Sequence, residues 1–74
     1  MYSFTFRFTD GHALVCDHVV SVSYGYNAAT VVSGAEISEH PFPPQSTFYL
    51  KTTDGSYIVD GTNCRSIQIV NENA

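Results

Sequence analysis

Tyr2, Phe4, Phe6 and Phe8 alternate with Ser3, Thr5, Arg7 and Thr9 at the start of the chain. A period of two sends successive side chains to opposite faces, so this stretch predicts a half-buried β-strand with its aromatic row inward. Asp10-Gly11 then turns the chain. Leu14, Cys16, His18, Val20 and Val22 resume the same period, interleaved with Ala13, Val15, Asp17, Val19 and Ser21. The geometry of the turn decides which rows meet. A two-residue loop at Asp10-Gly11 would pair Phe6 with Val15 and Phe4 with Asp17. A type I turn through Thr9-Asp10, with Gly11 as a left-handed bulge residue, shifts the pairing by one. Phe6 then lies opposite Leu14, Phe4 opposite Cys16 and Tyr2 opposite His18, while Asp17 joins Ser3 and Arg7 on the other face. The bulged register is expected, because the alternative sets a carboxylate in the aromatic row.

The same punctuation recurs. "FTDGHALV" begins at Phe8 and "TTDGSYIV" at Thr52. Aligning the two Asp-Gly pairs matches Phe4 with Phe48, Phe6 with Leu50, Arg7 with Lys51 and Leu14 with Ile58. Two equivalent hairpins are the simplest reading, and the same bulge at Gly55 predicts Leu50 opposite Ile58, Tyr49 opposite Val59 and Lys51 opposite Tyr57. "VDGTNC" from Val59 supplies a further turn, "RSIQIV" from Arg65 reads as a last strand with Ile67 and Ile69 inward, and "NENA" reads as a frayed end.

Between the hairpins the pattern is weaker. Asn27 could cap a short helix carrying Ala28, Val31, Val32 and Ala35 on one stripe. Against it stand the β-branched Thr30, Val31 and Val32, the Ser33-Gly34 interruption, and the lack of a capping-box glutamate. A strand from about Ala29 to Ile37, bulged near Gly34, is the expectation. "HPFPPQ" from His40 reads as a stiff extended connector, because its three prolines exclude helix and interior strand. Residues 1–74 thus read as a single all-β domain: a small antiparallel barrel or two-layer sandwich of five to six strands. The alternative is an α+β fold with one short helix near residues 28–38.

Composition narrows the functional classes. Hydrophobic residues make up 43% and charged residues 14%, a globular balance, and the formal net charge is −4. Arg7, Lys51 and Arg65 are the cations, too few and too dispersed for a basic stripe that would grip a phosphate backbone, so a nucleic-acid partner is not expected. No apolar run approaches the ~20 residues of a membrane-spanning helix, and "MYSFTFRFTD" alternates where a signal peptide would be continuously apolar. A cytoplasmic protein with reduced thiols is the expectation, with no membrane partner.

Chemistry-bearing residues are sparse. Cys16 and His18, two apart on a strand, would share a face, and with Cys64 they outline a conceivable soft-metal or thiol site. The competing reading makes Cys16 a small hydrophobe of the inner row. Asp10, Asp54 and Asp60 all precede glycine, which is turn chemistry and not acid–base pairing. No glycine loop of a phosphate-cradling kind occurs. An enzyme is not expected, and no cofactor is implied. The surplus is aromatic: Tyr24, Tyr26, Phe42, Tyr49 and Tyr57 fall away from the inner row or at its edge. Tyrosine with few charges suits a protein-binding surface. The leading expectation is a small interaction module that binds a protein partner or itself, as a homodimer, through a tyrosine-rich face or an edge strand. A metal- or thiol-dependent protein using Cys16, His18 and Cys64 is the alternative. Small-ligand or carbohydrate binding on the tyrosine face is the third reading.

Overall fold

The computed structural model describes residues 1–72. Six strands form one antiparallel sheet: β1 (Tyr2–Phe8), β2 (Ala13–Tyr24), β3 (Thr30–Ser33), β4 (Thr47–Thr52), β5 (Ser56–Asp60) and β6 (Cys64–Asn71). The order is β5-β4-β2-β1-β6, with β3 paired to the second half of β2. The all-β expectation is met. The sheet coils around its own inner face without closing, so the architecture is barrel-like and open.

The first hairpin adopts the bulged register. Gly11 has φ +92°, its amide donates to Phe8 O, and the Phe8 amide donates to His12 O. Phe6 faces Leu14 and Phe4 faces Cys16. Asp17 turns outward, where its carboxylate accepts a 2.7 Å hydrogen bond from Ser3 Oγ. The expected pairing of Tyr2 with His18 does not occur, because His18 sits in a bulge at φ +60° and Tyr2 meets Val19 instead. A second irregularity on the β4 side, between Val19 and Ser21, completes the bend. These two offsets make Cys16, Val19 and Val22 the buried residues of β2, and His18 points out. The bend lets one long strand serve two partners, β1 with its first half and β4 with its second.

The second hairpin departs from the expected register by one residue. Leu50 faces Tyr57, Tyr49 faces Ile58, Phe48 faces Val59 and Lys51 faces Ser56. Gly55 is not left-handed. The Thr52 side chain replaces the bulge: its Oγ1 accepts from the amides of Asp54 and Gly55, and its own amide donates to Gly55 O at 2.8 Å. Such a side-chain-closed turn has Thr53-Asp54 as its two loop residues. The equivalence of the two hairpins therefore stops at composition.

The middle segment is strand for only four residues. Gly34, at φ +61°, ends β3, and Gly34–Ser38 is a 3-10 turn that buries Ile37 completely and lies against β2, β3 and β6. The expected strand to Ile37 is corrected accordingly, as is the helix capped by Asn27: Tyr26–Ala28 is a tight turn with Asn27 and Ala28 left-handed. Ile37 plugs one gap of the open sheet. The proline connector covers another, with Phe42 packed edge-on to Phe4 and Phe48. At the chain end, Asn71 lies in β6, while the Glu72 amide donates to Met1 O and its carboxylate accepts from the His18 amide. That part of "NENA" is not frayed, and Asn73 and Ala74 lie outside the described residues.

Candidate functional site: the outer face of the second hairpin and a cationic hollow

The five candidate aromatics do not share a face. Tyr24 and Phe42 turn inward, where they form a cluster with His40 and Phe48, and the Tyr24 hydroxyl is hydrogen-bonded to His40 Nε2. Tyr26 stands alone on a turn tip, 89% exposed. Tyr57 begins the inner row Tyr57–Leu50–Val22–Val32 and lies at its rim. Only Tyr49 lies on the outer face. The one-residue register shift explains the difference, because it exchanges inner and outer faces along all of β5.

The same shift puts Ile58, in place of the expected Val59, beside Tyr49 on the outer face. Ile58, Tyr49, Ser23 and Val31 are successive cross-strand neighbours over β5, β4, β2 and β3. Ile58 is 72% exposed, Val31 63% and Tyr49 42%. The neighbouring row is Ser56–Lys51–Ser21–Ser33, so Lys51 flanks the apolar row on one side, and Thr47 with Asp60 flanks it on the other.

The thiol set is not assembled. Cys16 and Cys64 are both buried, while the His18 ring lies outside and contacts the Glu72 carboxylate at 3.2 Å. The bulge at His18 breaks the shared face on which the Cys16–His18 pairing rested. Cys16 is opposite Phe4 and Cys64 opposite Phe8, four residues along β1, or roughly 13 Å at ~3.3 Å per residue, beyond disulfide reach. No group of three or more His, Cys, Asp or Glu side chains suited to a metal occurs among the described residues. Burial, reinforced by the Asp17 carboxylate, pushes the Cys16 thiol above its ordinary value of 9.0. Since the unfolded thiol ionises first as pH climbs, this contribution to stability is complete below that value and declines above it. Urea midpoints measured across alkaline pH are expected to fall, and a thiol reagent at neutral pH is expected to leave Cys16 unmodified until denaturant is added.

One grouping joins residues that lie far apart in the sequence. Arg7 and Arg65 come from opposite ends of the chain, and the pairing of β1 with β6 sets them on one hollow of about 410 Å³, with His12, Phe8, Ala13 and Ser66 around it. Period-two alternation would have sent Arg65 inward with Ile67 and Ile69. A bulge between the Arg7–Ser66 and Phe8–Cys64 pairs re-aims it: Cys64 stays buried and Arg65 is exposed. The only sequence hint was a cation in the inward row of an otherwise apolar strand.

No protein-family model, no curated protein and no solved structure matches the chain. No helix among the described residues is long and apolar enough to cross a membrane.

Proposed function

We propose that the chain is a small, non-enzymatic interaction module that binds a second copy of itself through the outer face of β5, β4, β2 and β3. The observation that carries this reading is the row Ile58–Tyr49–Ser23–Val31, exposed, free of charge and bracketed by Lys51 and Asp60. A two-fold axis along the row lays it on its own copy and brings Lys51 on one side of the row in one chain over the Thr47–Asp60 side of the other. Apolar centre and opposite charges on its two sides make the face self-complementary. Four strands at ~4.8 Å spacing and about five residues at ~3.3 Å each give a face of roughly 300 Å², smaller than a stable dimer needs at ~800 Å² per partner. The association is therefore weak. A cytoplasmic setting, where thiols stay reduced, suits two buried free cysteines. The non-enzymatic part rests on the scatter of the histidines: His12 pairs with Asp10, His18 with Glu72 and His40 with Tyr24, at three separate places.

Sedimentation equilibrium up to about 1 mM chain, where a contact of ~4 kcal/mol is half saturated, is expected to show a concentration-dependent dimer. Ile58→Glu should abolish it without loss of the fold, since Ile58 contributes little to the core. A wild-type chain that remains monomeric throughout, or an Ile58→Glu variant that still dimerises, would remove the reading.

A further inference from the structure

We infer that the hollow between the β1–β2 turn and the β6 bulge binds a small, doubly charged oxyanion of the phosphate type. Carboxylates outnumber cations seven to three in this chain. Even so, among the described residues neither Arg7 nor Arg65 pairs with a carboxylate, and both line the same cavity. Two guanidinium groups held together repel each other, and nothing in the fold requires it, because β6 could carry a neutral residue at its bulge. A multiply charged anion between them reverses the sign of that interaction, and paired planar forks are the donors such an anion prefers.

The hydrogen bonds around the hollow leave the donors available. Arg7 uses Nη1 on Gln68 Oε1 at 2.8 Å, a neutral acceptor that orients the guanidinium and leaves its remaining N–H groups. Asp10, the carboxylate of the adjacent turn, is itself engaged: it accepts from the His12 amide at 2.9 Å and contacts His12 Nδ1 at 2.8 Å. The ring, one wall of the hollow, is thereby anchored through Nδ1. These bonds hold the Asp10 carboxyl below its ordinary range, so it remains an anion that fixes His12. Gly11, left-handed and with no atom within 4 Å of where a Cβ would stand, keeps the entrance wide. The volume lies in the lower part of the ~300–1,000 Å³ range of small-molecule sites. Phe8 and Ala13 add an apolar wall on which the rest of a small phosphate ester could lie.

Titrate the full chain at constant ionic strength with inorganic phosphate and, separately, with glucose 6-phosphate, following backbone amide shifts. Saturable shifts confined to Phe8–Ala13 and residues 65–66 are expected. Tighter binding of the ester identifies a phosphorylated small molecule as the ligand, and equal binding identifies free phosphate. Arg65→Gln and Arg7→Gln should each weaken binding about tenfold, the loss of one charge-assisted partner. Because Arg65 is exposed, its variant should melt like the parent, which separates lost binding from lost fold. Shifts that chloride reproduces, or Arg65→Gln binding within twofold of the parent, would overturn the inference. This outcome is independent of dimerisation through the Ile58 row.

Discussion

Phe48→Ala is expected to lower stability by about 3–5 kcal/mol, the cost of emptying a fully enclosed aromatic site. Phe48 has no exposed surface, and its ring lies 5.7 Å from both Phe6 and Tyr24 and 6.2 Å from Phe42. Those three neighbours come from β1, β2 and the proline connector, so one side chain joins the sheet to the segment that covers it. Each such ring pair adds ~0.5–1.5 kcal/mol beyond area burial. A chain of this length holds only about 4–11 kcal/mol in all, so the variant should be marginal or unfolded at room temperature. Urea denaturation checks this. A loss below about 1 kcal/mol would mean that the aromatic cluster is not the centre of the core.

Gly61→Ala should cost about 2–4 kcal/mol, although it adds a single methyl. A Cβ at this position would lie 2.2 Å from Ser46 O and 2.5 Å from Pro44 O. Both are backbone atoms, so no side chain can swing aside. The connector would have to move, breaking the 3.0 Å hydrogen bond from the Gly61 amide to Ser46 O and loosening Phe42 from its neighbours. The other Asp-Gly pairs are the controls. Gly55 has open space and no positive φ, so Gly55→Ala should be neutral or gain a few tenths of a kcal/mol. Gly11 also has open space but sits at φ +92°, so Gly11→Ala should cost about 1–2 kcal/mol through strain alone. Thermal melts of the three variants rank them: 61 worst, 11 intermediate, 55 harmless. Equal losses at 11 and 55 would show that the two hairpins share a turn after all.

That ranking also marks where local pattern stops being informative. Phe4 and Phe6 can be placed inward from the alternation alone, and the Thr-Asp-Gly turn with its left-handed glycine then predicts Leu14 and Cys16 as their partners. The same tripeptide before Ser56 does otherwise, because Thr52 closes that turn with its hydroxyl and only a register that buries Val59 completes the inner row. The candidate interface shows the same limit: Tyr49 was legible, whereas its exposed neighbour Ile58 read as core until the register was known.

Alternation and turn chemistry by themselves determined that this chain forms antiparallel strands, where most of them begin and end, and how the first pair meets, since those choices depend on neighbours a few residues away. Bulges are another matter. Those at His18 and Arg65, and the break at Gly34, answer to the curvature that a sheet needs to wrap a small core, and that curvature exists only when all strands are present. Tertiary structure alone therefore decided that His18 leaves the side of Cys16, that Ile58 surfaces beside Tyr49, and that two arginines from the chain's two ends face one hollow.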